Sequence, residues 1–218
     1  MTTLPDNKPE NINEARIKKL EQLRARGIDP YLNRYKRTHT TQEALDLFKQ
    51  YEAGANAPQV VSTRNLDSPL ANVAGRITAR RNMGKISFLD LRDSSGKIQL
   101  LMGDLLNANH IQLLKDIDIG DIIGASGRLF RTKTGEPTIA VSDFTLLAKS
   151  LQPLPEKWHG LTDTDKRQRQ RYLDLIANAE VKEVFRVRSR VISAVIFPGS
   201  ASGSPPMIAR NRRGPSLA

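Results

Sequence analysis

RRNMGKISFLDLRDSSGKIQL, residues 80–100, contains two alternating runs separated by Ser94-Ser95-Gly96. That is the pattern of a β-hairpin with a glycine in its loop. Numbered as a strand, the first run puts Ile86, Phe88, Asp90 and Arg92 on one face and Ser87, Leu89 and Leu91 on the other. Leu89 and Leu91 read as core. Phe88 is then left on a polar face, with Arg80, Arg81 and Lys85 just upstream.

The flanking sequence extends the hairpin into a sheet. NVAGRITARR (72–81) alternates Val73, Gly75, Ile77 and Ala79 against Ala74, Arg76, Thr78 and Arg80. KIQLLMG (97–103) makes a third strand. DLLNANHIQLLKDI (104–117) has helical spacing through Leu106, Leu113 and Ile117. DIIGASGRLFRT, the turn TKTGE (132–136) and PTIAVSDFTLLAK then give two further strands. Three strands, a helix and two strands is the order of an OB-fold, a small five-stranded barrel with a helix between strands three and four. Gly75, Gly124 and Gly127 within strands suit the bends of such a barrel. The expected fold class is mainly β: a five-stranded OB-fold barrel at 67–150, preceded by a helical extension and linker at 1–66.

Helical signals occupy both flanks. In NINEARIKKLEQLRARG, Ile17, Leu20 and Leu23 form a narrow apolar stripe ended by Gly27 and Asp29-Pro30, flanked by Arg16, Lys18, Lys19, Arg24 and Arg26. Thr40 and Glu43 form a capping box for a short helix reaching about residue 50. Residues 1–10 and 196–218 read as disordered, and 53–69 as a loop or linker. After the Pro-containing linker LQPLPEKWHGLTD (151–163), a basic stretch leads to a helix over 180–195. Val181, Val184, Phe185, Val191 and Val195 share one face of that helix.

Composition narrows the function classes. The chain of 218 residues has no cysteine, which rules out disulfides and thiolate metal sites. Its three histidines, His39, His110 and His159, suggest no local metal pair. The N-terminus MTTLPDNKPE has no apolar run and no stretch approaches 18 apolar residues, so a soluble cytoplasmic protein is expected, with no membrane. Net charge is +11, which points to a polyanionic partner. More than half of that excess lies in 151–218, with 12 basic and 6 acidic residues, so charge alone also fits a basic solvated surface.

The outlying ring therefore matters. An aromatic on the outer face of an OB barrel can stack on an unpaired base, with nearby cations holding phosphates and amides or carboxylates reading base edges. Phe88 with Arg80, Arg81 and Gln99 fits that logic. Packing of Phe88 beneath the N-terminal helix fits the residue pattern equally well.

A family resemblance separates the two. GRITARRNMGKISFLDLRDSSGKIQL (75–100), GDIIGASGRLFRTKTGEPTIAV (120–141), LQPLPEKWHGLTD (151–163) and RQRQRYLDLIAN (167–178) resemble the bacterial lysyl-tRNA synthetases, class II aminoacyl-tRNA synthetases. The resemblance runs over roughly residues 12–195. It implies that the OB barrel recognises the anticodon loop of tRNA(Lys), and that Phe88 stacks on an anticodon uridine. It also implies that Gln99 and Glu136 hydrogen-bond base edges, with Arg80 and Arg81 assisting. No catalytic residue and no cofactor or metal site is expected in this chain. ATP and Mg2+ are implied for the full-length family.

EVFRVRSRVISAV (183–195) resembles the opening of motif 1, the dimer helix of that class, so 151–195 is expected to be a linker and the start of the catalytic domain. Beyond Val195 the resemblance stops. The expectation is a chain truncated within motif 1, without motifs 2 and 3, inactive alone and with homodimerisation in doubt. The expectation for the tail is a frameshift: Phe197-Pro198-Gly199-Ser200 can be coded by bases that, displaced by one, read Phe-Leu-Asp. Two other readings stay open, a free-standing OB-fold binder of single-stranded nucleic acid and a non-functional fragment.

Overall fold

A computed structural model describes residues 12–54, 67–154 and 163–196. It divides into two units, Met1–Pro153 and Leu154–Ala218. The expected disorder at 1–10 and beyond 196, most of the 53–69 loop, and His159 lie outside the described residues.

In the first unit, β1 (Leu70–Met83), β2 (Ile86–Arg92), β3 (Lys97–Met102), β4 (Ile122–Arg131) and β5 (Pro137–Ala148) close a barrel in the order β1-β2-β3-β5-β4. All pairings are antiparallel except β3 with β5. Closure leaves no free sheet edge. Alternation in β2 drives the packing, since Leu89 and Leu91 are fully buried while Phe88 and Asp90 are not.

Three helices attach to the barrel: α1 (Ile12–Ala25), α2 (Thr41–Ala53) and α3 (Ala108–Asp116). The capping box forms as expected, with Thr40 and Glu43 bonding each other's backbone N–H. The helix runs on to Ala53, beyond the expected end near 50. Asp93 ties its start to the β2–β3 turn, accepting from Thr41 N at 2.9 Å, Thr41 Oγ1 at 2.7 Å, Ser95 N at 2.7 Å and Gly96 N at 2.9 Å. Burial pushes the Asp93 carboxyl up, but these hydrogen bonds outweigh it and hold the group well below the usual carboxylate range. Asn107 caps α3 through His110 N at 2.8 Å, so Leu106 is buried ahead of the helix rather than within it.

Three expectations need correction. Ile17 is 43% exposed, and the buried partner of Leu20 and Leu23 on α1 is Arg16. Its guanidinium donates to the carbonyls of Ser150 at 2.9 Å, Gln152 at 3.1 Å and Ile119 at 2.9 Å. A charged side chain breaks the apolar period because backbone acceptors wait for it. Second, Gly124 serves close approach: the Tyr35 ring lies where a Cβ would stand. Third, β1 shifts register between Ile77 and Ala79, which removes Ala79 from the core and turns over every residue beyond Thr78.

The second unit holds α4 (Thr164–Arg169), α5 (Arg171–Ala177) and α6 (Ala179–Ile196). Buried Asp174 gathers Arg167 Nε at 2.9 Å, an Arg171 guanidinium nitrogen at 2.8 Å and Asn178 Nδ2 at 2.7 Å. Two of the RQRQR arginines are thus engaged in structure. On α6, Val184, Val191 and Val195 of the anticipated stripe are exposed, while Val181 and Phe185 are half-buried. No helix among the described residues is long and apolar enough to cross a membrane.

Candidate nucleic-acid interface

Directly opposed residues share a face of a sheet, so the register defines the outer surface row by row. Arg81 stands opposite Phe88, and Phe88 opposite Leu101. In the next row Ala79 faces Asp90, Asp90 faces Gln99, and Gln99 faces Thr138 of β5. Phe88 is half-buried and belongs to neither apolar cluster of the barrel nor to the side chains packed against them. The ring thus lies outside the barrel's apolar core.

Arg81 lies beside it, 59% exposed at the side chain, with a guanidinium nitrogen 3.5 Å from Asp90 Oδ1. Asp90 also meets Lys97 Nζ at 3.4 Å. Arg80 does not join them. The register shift places it opposite Leu89, on the inward side, where one guanidinium nitrogen donates to the carbonyls of Leu114 and Ile117, both at 3.0 Å. There it neutralises carbonyls at the C-terminal end of α3. Strict alternation had set Arg80 outward; a single extra residue reverses it.

Gln99 and Glu136, far apart in sequence, meet: Gln99 Nε2 donates to Glu136 Oε2 at 2.8 Å. Thr138 Oγ1 donates to Gln99 Oε1 at 2.9 Å, which fixes the orientation of the carboxamide. Gln99 is 4% exposed. A carboxamide has two N–H donors and two acceptor lone pairs, so one of each is left after these bonds. Glu136 is held by a tight turn in which Gly135 takes φ +85°, Thr132 N donates to Glu136 O at 3.0 Å, and Thr132 Oγ1 accepts from Glu136 N at 3.0 Å. Only a residue tolerant of the left-handed region closes that turn without strain. The Thr132 and Thr134 hydroxyls bond each other at 3.0 Å. At the base of the turn Arg131 grips Glu52 of α2 with two bonds, 2.7 and 2.5 Å, and lies over the Phe48 ring at 5.8 Å.

Sequence reading missed Thr138 as the group that orients Gln99, because β3 and β5 pair across an intervening helix and strand and leave no local signal. It also missed the pairing of Asp90 with Arg81 and Lys97, although alternation had put Asp90 on this face.

Residues 71–147, all five strands and α3, match the OB-fold nucleic acid binding domain of the tRNA anticodon type. A lysine–tRNA ligase of Dehalococcoides mccartyi strain 195 is 50% identical over 188 residues, 85% of this chain and 36% of the relative. The chain is homologous to part of the lysine–tRNA ligases. The Carboxydothermus hydrogenoformans enzyme is 46% identical over 183 residues, 84% of this chain and 34% of its own. The chloroplastic/mitochondrial lysine–tRNA ligase of Arabidopsis thaliana is 44% identical over 188 residues, 85% and 30%. The chain thus spans about a third of the length of the curated relatives it matches. Among the described residues no group of three or more His, Cys, Asp or Glu is arranged to hold a metal. No residue here is assigned to the ATP and Mg2+ that the resemblance implies for the full-length enzymes.

Proposed function

We propose that the outer face of β1, β2 and β3, with the 132–136 turn, binds the anticodon loop of tRNA(Lys). The carrying observation is Phe88 left half-exposed beside Arg81, one row from the Gln99–Glu136 pair. A uracil edge presents an N3–H donor between two carbonyl acceptors. The remaining N–H of Gln99 offers a donor and the carboxylate of Glu136 an acceptor side by side, the complement of that edge. The Phe88 ring supplies the stacking surface, and Arg81 holds the adjoining phosphate.

In this reading 67–150 is the anticodon-binding domain, 1–66 its helical extension, and 151–195 the opening of a catalytic domain. The activity to which the domain contributes is ATP- and Mg2+-dependent attachment of lysine to tRNA(Lys), in the cytoplasm. The exposed valines of α6 are the surface through which two copies would pair. Replacement of Phe88 by Ala tests the proposal. An anticodon stem-loop should bind the variant about 1–3 kcal/mol more weakly than the parent chain, read by fluorescence anisotropy. Equal affinity in the two proteins refutes stacking. Equal affinity of the parent for the stem-loop and for arbitrary single-stranded DNA would favour the general single-strand binder instead.

A further inference from the structure

Beyond Phe88 and Asp90, toward the β2–β3 turn, the same register brings Arg76 of β1 opposite Arg92 of β2, and Arg92 opposite Lys97 of β3. Adjacent strands lie about 4.8 Å apart, so three cationic residues cross the outer face in one line of about 10 Å. Like charges directly opposed across strands destabilise a sheet, and the fold does little to relieve these. Arg76 donates to a neutral carbonyl, Gly120 O, at 2.8 Å. Among the described residues Lys97 pairs with Asp90 alone, at 3.4 Å, a carboxylate it shares with Arg81. Arg92 is exposed and has no hydrogen-bond or ion-pair partner among the described residues. Arg37 lies near the residue that follows Arg92. Its guanidinium is 3.9 Å from Asp93, whose oxygens already accept from Thr41, Ser95 and Gly96.

We propose that Arg76, Arg92 and Lys97 form a phosphate-binding row. It holds the RNA backbone as the strand leaves the base stacked on Phe88. From Phe88 to Arg92 is four residues along β2, roughly 13 Å, and one OB barrel covers roughly 4–16 nucleotides, so a strand stacked on Phe88 extends far enough to reach the row. The aromatic and amide rows distinguish the base; this row carries sequence-independent affinity through counterion release. Repulsion among the three cations in the free protein is relieved when phosphates lie between them. The proposal rests on the RNA-binding reading of this face.

The test uses the full chain and an RNA stem-loop with a uridine-rich loop, its affinity measured by anisotropy over a series of NaCl concentrations. Arg92→Gln with Lys97→Gln should weaken binding and flatten the plot of log affinity against log salt by about 1.4, at about 0.7 per phosphate contact on a single strand. Adding Arg76→Gln should flatten it by about a further 0.7. Because Arg92 and Lys97 are exposed, thermal unfolding of the double variant should match the parent. A slope unchanged in the double variant overturns the row. Phe88→Ala in the same assay lowers affinity at constant slope, so failure of stacking and failure of the row appear in different proteins. A parent chain that binds no stem-loop overturns both.

Discussion

Where β5 leaves the barrel, charged side chains are packed out of water; on the outer face of β1, β2 and β3, others stand in it. At the first place Lys149 Nζ meets Asp118 Oδ2 at 2.6 Å, Asp121 Oδ2 at 2.8 Å and the Asp116 carbonyl at 2.7 Å, with Asp121 fully buried. Lys19 adds a second cation to Asp118 at 2.6 Å, and Arg16 is bonded to three carbonyls. At the second place Arg81 and Lys97 share one carboxylate at 3.4–3.5 Å and Arg92 has no partner among the described residues. Buried charge persists only when every donor and acceptor is met. Exposed pairs at such distances add little stability. The contrast separates charge that holds α1 and the end of β5 to the barrel from charge left free to meet a polyanion.

The buried group gives the largest expected effect. Lys149→Met should cost about 3–5 kcal/mol, because it strands the Asp121 carboxylate without its counter-ion. Urea unfolding measures it, and pairing Lys149→Met with Asp121→Asn should restore part of the loss. A cost below that of an ordinary surface change would dissolve the distinction between the two regions. Next comes Asp93, whose replacement by Asn should cost about 2 kcal/mol by weakening hydrogen bonds to a charged acceptor. The carboxyls of Asp93 and Asp118 both lie below their ordinary range. For Asp118 burial pushes up and is outweighed by Lys149 and Lys19. Depressed folded values mean that the stability they contribute is complete above about pH 4, the ordinary carboxylate value, and is lost as pH falls below it. Unfolding of the Asp93→Asn protein across acid pH should therefore show a shallower decline than the parent.

The barrel was legible because its signals are local. Alternation in 86–92, the glycine turn at 94–96, the capping box at Thr40 and the helix between the third and fourth strands each follow from neighbouring residues. Phe88 was legible for the same reason, since a strand of known phase has only two sides. Arg16 was not, because its three acceptors come from segments more than 100 residues away. The contact of Gln99 with Glu136 depends on a parallel pairing of β3 with β5, and no sequence period encodes which strands become neighbours on closure. The resemblance supplied that pair of residues; the fold brings them into contact.

The smallest effect is also the most discriminating, because it sets adjacent arginines against each other. Arg80 and Arg81, adjacent in β1, lie on opposite sides of the strand, and the shift between Ile77 and Ala79 decides which of them faces inward. Arg80→Gln removes two bonds to the carbonyls that end α3 and should cost about 1 kcal/mol of stability, leaving the salt slope of RNA binding intact. Arg81→Gln should do the reverse, changing stability by less than about 0.5 kcal/mol while flattening the slope by about 0.7. Chemical unfolding and salt-dependent anisotropy on the two variants give four numbers. If the two effects are exchanged, with Arg80 acting on RNA binding and Arg81 on stability, strict alternation holds through Thr78 and the inward placement of Arg80 is wrong. If the effects divide as stated, one bulged residue decides which arginine supports the barrel and which faces the ligand.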